Sequence, residues 1–217
     1  VDKEVYDEVV KEFEKFHAYF VSKKEKELLE KYLFGGKGNP KDLHAALNPN
    51  VVGKTAEWIA NEAGFNVPSN TTILMVECQE VGPNEPLTRE KLSPVLAILK
   101  SNSTEEGVQL AKQMVEFNGL GHSAAIHTED KRVSEEFGKA VKAIRVIWNS
   151  PSTFGGIGNV YNSFLPSLTL GCGSYGANSV GNNVSAVNLI NVKRIGRRNN
   201  NMQWFKVPSK IYFERDS

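Results

Sequence analysis

The 217-residue sequence has few cysteines and no long hydrophobic run. Its two cysteines, Cys78 and Cys172, lie far apart and outside any C-x-x-C pattern, which argues against a zinc site and against a disulfide framework. No stretch of about 18 apolar residues is present, and the first residues, VDKEVYDEVV, lack the basic and apolar regions of a signal peptide. These absences predict a cytoplasmic protein with no membrane segment and no metal site.

Acidic residues are missing from a long stretch between Glu136 and Glu214. Residues 1–136 carry 16 Lys and Arg against 23 Asp and Glu, a net charge of −7, whereas residues 137–217 carry 10 against 2, a net charge of +8. A basic half of this kind suits nucleic acid, a phosphorylated small molecule or an oligomer interface with the acidic half. No recognition helix or base-stacking motif accompanies the basic cluster KRIGRR, so nucleic acid is the least favoured partner.

Hydrophobic periodicity predicts alternating helices and strands. Helical spacing covers VYDEVVKEFEKFHAYF (5–20), Ser22 and Glu25 form a capping-box pattern before a second helix, and VVGKTAEWIANEAGF predicts a third helix ending at Gly64. Strands are predicted at TTILMVEC, PVLAILK, SAAIHT and AIRVIW, and helices at EEGVQLAKQMVEF, capped by Ser103, and at VSEEFGKAV. This order predicts an α/β fold with a parallel or mixed sheet flanked by helices.

Two glycine-containing stretches resemble phosphate-binding loops. NPNVVGKT ends like a Walker A loop but lacks its leading glycine and its preceding strand. PSLTLGCGSYGANS contains G-x-G-x-x-G at Gly171, Gly173 and Gly176 after a predicted strand, SLTL, but no amphipathic helix follows, and the acidic residue that would bind a ribose about 20 positions later is absent. Neither stretch therefore predicts a nucleotide-binding loop of the usual kind.

Three side chains are candidates for chemistry. Cys172 is either a thiol nucleophile in a basic region or a small buried side chain, and the absence of a histidine close to it in the sequence favours the second interpretation. Glu90 precedes the strand PVLAILK and is either a ligand-binding or a surface carboxylate. His122, close to Gly119 and Gly121, is either a catalytic imidazole at a strand end or a loop histidine.

Several segments together resemble the aldehyde dehydrogenase half of bacterial bifunctional aldehyde-alcohol dehydrogenases. They are EKLSPVLAIL, GLGHSAAIHT, RVIWNSPSTFGGIGNVYNSFLPSLTLGCGSYGANS and NMQWFKVPSKIYFERDS, and the resemblance covers essentially the whole chain. EKLSP is similar to the E-x-F-G-P element of the aldehyde dehydrogenase superfamily, with Leu92 in place of Phe and Ser93 in place of Gly.

The resemblance implies a CoA-acylating acetaldehyde dehydrogenase that uses NAD as cofactor and coenzyme A as co-substrate. It implies that Glu90 binds the nicotinamide ribose, that His122 lines the catalytic pocket, and that Leu170 and Gly171 pass close to the nicotinamide. Iron is implied only for the alcohol dehydrogenase half of such enzymes. The expected partners are NAD, acetyl-CoA or CoA, and acetaldehyde, together with further copies of the parent enzyme in a homo-oligomer or filament.

The resemblance also places two functional parts of the family upstream of Val1, namely the nucleophilic cysteine and the NAD-binding domain. We therefore expect the 217-residue chain to be a partial catalytic domain over residues 1–190 with a linker-like tail and terminal strand over residues 191–217, inactive by itself. The alternative is a non-catalytic assembly module derived from the same enzyme.

Overall fold

The computed structural model of the protein describes residues 1–36 and 38–197. Contacts divide the chain into two compact units, residues 1–185 and residues 186–217. In the second unit, the described part contains a short 3-10 turn, Ala186–Leu189. The predicted terminal strand, SKIYFER, lies outside the described residues, and the predicted domain boundary at residue 190 stays a prediction.

The first unit alternates helices with strands. The helices are Tyr6–Lys15 (α1), Lys23–Phe34 (α2), Ala56–Ala63 (α3), Thr104–Phe117 (α4), Lys131–Ala140 (α5) and Ser152–Ile157 (α6). The strands are Ala18–Phe20 (β1), Ile73–Glu77 (β2), Val95–Ile98 (β3), Gly121–Ile126 (β4) and Ala143–Trp148 (β5).

All pairings between these strands are parallel. β1 pairs with β2 and β2 with β3 to form one sheet, whereas β4 and β5 form a separate two-stranded sheet. Parallel neighbours need a crossover connection, which α2 and α3 supply between β1 and β2 and α5 supplies between β4 and β5. The connection from β2 to β3 contains only the short 3-10 turn Pro86–Thr88. The prediction of an α/β fold with a helix-flanked parallel sheet is confirmed.

Each sheet packs its apolar face against helices. In the three-stranded sheet, Leu74 and Val76 of β2 are fully buried against α2 and α3, where Leu33 and Ile59 are also fully buried. In the two-stranded sheet, Ala143 packs with α4 and α5 around Phe137 and Val141. Removing this apolar surface from water provides most of the driving force for folding.

Helix ends follow the predicted caps. The Ser22 side chain accepts a hydrogen bond from the Glu25 N–H while the Glu25 carboxylate accepts one from the Ser22 N–H, so the capping box of α2 is confirmed. The Ser103 side chain caps α4. Gly64 ends α3 with φ of 97°, a conformation that glycine adopts without strain.

The predicted first helix is too long. α1 ends at Lys15, the chain turns at His17 with φ of 62°, and Ala18–Phe20 becomes β1, paired in parallel with β2. Helical periodicity extends through Phe20 in the sequence, but pairing with the buried strand β2 gives these residues a stronger tertiary partner.

The strand predicted at SLTL is also wrong, because only Leu170 of this segment makes an isolated antiparallel bridge, with Asn183. In the described part of the chain, no helix combines the length and the apolar character needed to cross a membrane. Within the same residues, no group of three or more His, Cys, Asp or Glu side chains is placed to hold a metal ion.

Candidate functional site

Glu90 is an exposed residue in the loop between the short turn Pro86–Thr88 and β3. Its N–H donates to Asn118 Oδ1 at 3.2 Å, which ties this loop to the C-terminal end of α4. Its two neighbours, Arg89 and Lys91, are buried. The loop therefore presents one carboxylate to solvent between two buried cations.

Arg89 fixes the loop on one side of Glu90. Its guanidinium donates to three backbone carbonyl oxygens at 2.6 to 3.2 Å, those of Pro40, Asp42 and Leu43. It also lies over two aromatic rings, Phe34 at 5.4 Å and Phe117 at 4.8 Å. The guanidinium is planar and carries donors along its edge. It can therefore donate in its plane to the carbonyls of residues 40–43 while its two faces pack on the aromatic rings.

Lys91 fixes the loop on the other side. Its Nζ donates to the carbonyl oxygens of Leu87 at 2.6 Å and Arg89 at 2.8 Å. Burial lowers the pKa of Lys91 to about 8, since the charged ammonium loses its hydration shell. Both flanks of Glu90 are thus held by buried donors bound to backbone, and the position of its Cα is fixed independently of any contact of the carboxylate.

The residues that follow depart from the E-x-F-G-P element in a visible way. Leu92 has φ of 47° and is 59% exposed, an unusual backbone conformation for a branched apolar side chain. Ser93 Oγ is buried, and no hydrogen-bond partner for it is present among the described residues. The substituted positions are therefore those where the loop is strained or incompletely paired.

His122 is the second residue of β4 and is exposed. Its Nδ1 lies 3.0 Å from Ser123 Oγ, within hydrogen-bond distance. Gly121 before it has φ of 91°, and a side chain there would collide with the backbone carbonyl of Cys172. The glycine therefore lets the Gly-rich loop approach the start of the strand that presents His122.

Arg145, in the middle of β5, links the histidine strand to the Gly-rich loop. It is only 3% exposed. Its Nε donates to Ser123 Oγ at 3.2 Å and its Nη2 donates to the Gly171 carbonyl oxygen at 2.5 Å. Burial lowers the pKa of Arg145, and nearby Cys172 opposes that shift in part. One side chain thus touches both the neighbour of His122 and the loop of Leu170 and Gly171.

The Gly-rich loop folds back on itself. Gly171 and Gly173 donate their N–H groups to the carbonyl oxygens of Asn182 and Val180. A side chain at Gly171 would collide with the Val180 backbone, so this glycine is required by a close approach within the protein. The loop is not the strand-to-helix turn of a dinucleotide fingerprint, in agreement with the sequence interpretation.

The two cysteines have different surroundings. Cys78 is 2% exposed, and burial raises the pKa of its thiol to about 12, as fits a core side chain. Cys172 is half-buried in the Gly-rich loop, where its N–H donates to Asn178 Oδ1 at 2.9 Å.

Two of the four predicted site residues, His122 and Gly171, are joined by one set of contacts, and a third, Leu170, is adjacent to Gly171 in sequence. His122 contacts Ser123, Ser123 contacts Arg145, and Arg145 contacts Gly171, which follows Leu170. In the described part of the chain, no hydrogen bond joins Glu90 to any of them, although Asn118, which binds the Glu90 N–H, begins the α4–β4 connection that leads to His122.

Sequence reasoning missed Arg145. The signal was present, because the arginine interrupts the apolar strand AIRVIW at a position in phase with the buried residues Ala143 and Ile147. A charged residue on the buried face of a predicted strand needs a partner or a role.

No family model matches the chain. The chain is 70% identical over its whole length to the aldehyde-alcohol dehydrogenase of Streptococcus pneumoniae serotype 4, of which it covers 25%. It is 54% identical, again over its whole length, to aldehyde-alcohol dehydrogenase 2 of Entamoeba histolytica, of which it also covers 25%. It spans about a quarter of the length of these curated relatives.

Solved structures share the fold. An acetylating aldehyde dehydrogenase from Geobacillus thermoglucosidasius superposes with a TM-score of 0.80 and 37% identity, covering 93% of this chain and 43% of that protein. More distant structures with the same fold include a reductase with bound NADP+ at 20% identity and a propionaldehyde dehydrogenase with bound propionyl-CoA at 18%. The chain thus corresponds in sequence to a segment of aldehyde-alcohol dehydrogenases and in fold to part of an acetylating aldehyde dehydrogenase.

Proposed function

We propose that this segment forms part of the catalytic domain of a CoA-acylating acetaldehyde dehydrogenase. The reaction interconverts acetyl-CoA plus NADH with acetaldehyde plus CoA and NAD. The observation that carries the proposal is the junction made by Arg145, which joins the strand of His122 to the loop of Leu170 and Gly171. These residues come from three separate stretches of the sequence. The family resemblance implies that His122 lines the catalytic pocket and that Leu170 and Gly171 pass close to the nicotinamide.

Glu90 is proposed to bind the two ribose hydroxyls next to the nicotinamide. A carboxylate accepts two hydrogen bonds at once, and the buried flanks Arg89 and Lys91 fix where it is presented. When bound, NAD supplies the hydride acceptor. An exposed carboxylate on a loop whose backbone is fixed suits NAD, because hydride transfer requires the nicotinamide to be held in one position.

His122 is proposed to hydrogen-bond or exchange a proton with the reacting oxygen or sulfur. An exposed imidazole can donate a hydrogen bond to the reacting group, and general acid–base groups of this kind contribute about 100-fold to 10,000-fold to rates. Leu170 and Gly171 are proposed to border the nicotinamide, with the position of Gly171 determined by Arg145 on one side and Val180 on the other.

The family's nucleophilic cysteine is proposed to reach this site from upstream of Val1. Val1 and Lys3 pair with Ser101 in parallel, directly after β3. In a longer protein, residues before Val1 would extend this pairing along β3 towards its amino end, near which Glu90 lies. This direction of the chain would bring an upstream thiol to the end of the sheet that carries Glu90.

A segment exchange tests the proposal. The 217 residues replace the corresponding segment of the S. pneumoniae aldehyde-alcohol dehydrogenase, and NADH formation is measured with acetaldehyde, CoA and NAD. We expect CoA-dependent turnover from the chimera and none from the isolated 217-residue chain. Turnover by the isolated chain that disappears in Cys172→Ala would instead assign the nucleophile to the Gly-rich loop. A folded chimera without acylating activity would contradict the proposal.

A second candidate function, a non-catalytic assembly module, is favoured by exposed apolar side chains in the second unit. Val187, Leu189, Ile190, Val192 and Ile195 are each more than 60% exposed. Sedimentation of the isolated chain tests it: association with increasing concentration that Ile190→Asp abolishes would support assembly through this segment. A monomer at all concentrations would contradict this second function.

A further inference from the structure

Arg145 is a buried cation with no carboxylate partner. In residues 1–36 and 38–197, no Asp or Glu oxygen lies within 4.0 Å of its guanidinium, and its Nη1 is buried without a hydrogen-bond partner. Taking a guanidinium out of water without a counter-ion costs free energy that a hydrophobic side chain of similar volume would not cost. Stability alone therefore does not account for an arginine at this position of β5.

The direction of its hydrogen bonds is determined by chemistry. A guanidinium can only donate, so Ser123 Oγ accepts from Arg145 Nε. The serine hydroxyl has one hydrogen, which remains available for another acceptor. His122 Nδ1, at 3.0 Å, is within reach of it.

The charge of Arg145 favours one arrangement of the histidine. If His122 Nδ1 carried a hydrogen, two donors would point at the same serine oxygen, one of them on a buried cation. If Nδ1 is unprotonated, the serine hydroxyl donates to it, and a hydroxyl that already accepts from a cation is a stronger donor. The hydrogen of the neutral imidazole then lies on Nε2.

We propose that Arg145 is a positioning residue that acts through Ser123 to hold His122 as the Nε2–H tautomer, and that binds the Gly171 carbonyl oxygen to keep the Gly-rich loop beside it. The tautomer presents an N–H donor on the side of the ring away from Ser123. Under the proposed function, on which this last step rests, that N–H donates to the carbonyl oxygen of the aldehyde or thioester.

The second contact gives Arg145 a role that a neutral partner of Ser123 would lack. Its Nη2 binds the Gly171 carbonyl oxygen from one side, while the Val180 backbone closes the other side. Movement of the loop that follows Leu170 would therefore break a charge-assisted hydrogen bond, the stronger kind. The same side chain thus orients the imidazole and restrains the loop.

The tautomer can be measured on the 217-residue chain itself. The chain of 24.0 kDa has four histidines, so 15N-histidine labelling gives few signals, and each is assigned by a His→Gln variant. At a pH where His122 is neutral, we expect the 15N shifts and ring couplings of a protonated Nε2 and a bare Nδ1. In Arg145→Met and in Ser123→Ala, the ratio of the two tautomers should fall by roughly tenfold or more.

Matched variants separate positioning from general damage to the fold. Arg132→Met removes an exposed arginine from α5 and should leave the His122 signals unchanged, while Ser123→Thr, which keeps the hydroxyl, should retain the Nε2–H tautomer. The proposal is overturned if wild-type His122 is the Nδ1–H tautomer, or if folded Ser123→Ala keeps the wild-type ratio. If Arg145→Met does not fold, Ser123→Ala alone decides.

Activity of the chimera provides an independent readout. With the tautomer as proposed, Ser123→Ala should lower kcat by about tenfold or more while KM for NAD changes less than about twofold, because His122 acts on the reacting group. If wild-type His122 is the Nε2–H tautomer and Ser123→Ala shifts the tautomer ratio but leaves kcat unchanged, the catalytic role is refuted and the positioning role of Arg145 stands. A chimera that is inactive with the wild-type segment refutes the proposed function and does not affect the NMR result.

Discussion

Two arginines are buried in the described part of the chain, and they differ in how completely their guanidinium groups are paired. Arg89 donates to three backbone carbonyls and packs over two aromatic rings. Arg145 donates to one carbonyl and one hydroxyl, and its Nη1 has no partner in the described part of the chain. Arg89 is therefore a structural residue that fixes the loop of Glu90, whereas Arg145 contacts groups beside the proposed reacting centre and leaves one of its own donors unpaired.

The largest expected effect is that of Arg89→Met on stability. The substitution leaves the carbonyl oxygens of Pro40, Asp42 and Leu43 without the Arg89 donor and removes the guanidinium from the two aromatic rings. The free energy of unfolding should therefore fall by about 3 to 5 kcal/mol. Urea denaturation of the chain, with the exposed Arg132→Met as control, measures it. A loss no larger than that of the control would show that Arg89 does not determine the loop.

Lys91 provides a test of the same loop by pH. Its pKa is about 8 in the fold against 10.5 in the unfolded chain, so below pH 8 both states are protonated and the cost of the buried charge is fully present. Between pH 8 and 10.5 the native state releases the proton first, and stability should rise by about 3 kcal/mol.

Cys78 has the opposite effect on stability at high pH. Its pKa of about 12 in the fold exceeds 9.0 in the unfolded chain, so its contribution to stability falls above pH 9. Unfolding of wild type and Lys91→Met should therefore be compared at each pH, since the difference contains the lysine and its electrostatic coupling to Cys78 and leaves out the rest of the Cys78 effect. A difference that stays constant from pH 7 to 10.5 would contradict a buried, charged Lys91.

Arg145→Met should destabilise the chain less than Arg89→Met, by about 1 kcal/mol or less, because the loss of two hydrogen bonds is offset by the removal of an uncompensated buried charge. The same urea experiment compares the two variants directly. Equal losses for the two arginines would remove the distinction between them.

Glu90→Gln should have the smallest effect on stability, within about 0.5 kcal/mol, because the side chain is exposed and its flanks remain bound. In the chimera the same change should slow hydride transfer by about tenfold or more, since an amide is a weaker acceptor for ribose hydroxyls. Single-turnover NADH formation and NAD titration test this. Wild-type values for both would return Glu90 to the role of a surface carboxylate.

Local signals predicted much of the fold. The capping residues Ser22 and Ser103 and the ending glycine Gly64 act within one turn of their helices, so the sequence next to them is sufficient. The strand Ala18–Phe20 was missed because its partner lies more than 50 residues away, and no local pattern reports that pairing. The interaction of Arg145 with Gly171 has the same property, since 26 residues separate the two.

The residues of the candidate site were proposed from the resemblance, but the hydrogen bonds that connect them were not. His122 and Glu90 were chosen for their chemistry beside predicted strands, but only the three-dimensional structure shows Ser123 and Arg145 between His122 and Gly171. Leu170 was expected in a strand and lies in a loop, because the loop backbone pairs with residues 180–183 in place of a sheet.

The close approach of Gly121 to Cys172, and of Gly171 to Val180, has a consequence for how such a site can change over time. Any side chain at either glycine would collide with backbone, and backbone cannot rotate away as a side chain can. A sequence that drifts at one of these positions must therefore alter the path of the whole loop at the same step. Substitutions at these two glycines are therefore accessible to evolution only together with changes elsewhere in the loop.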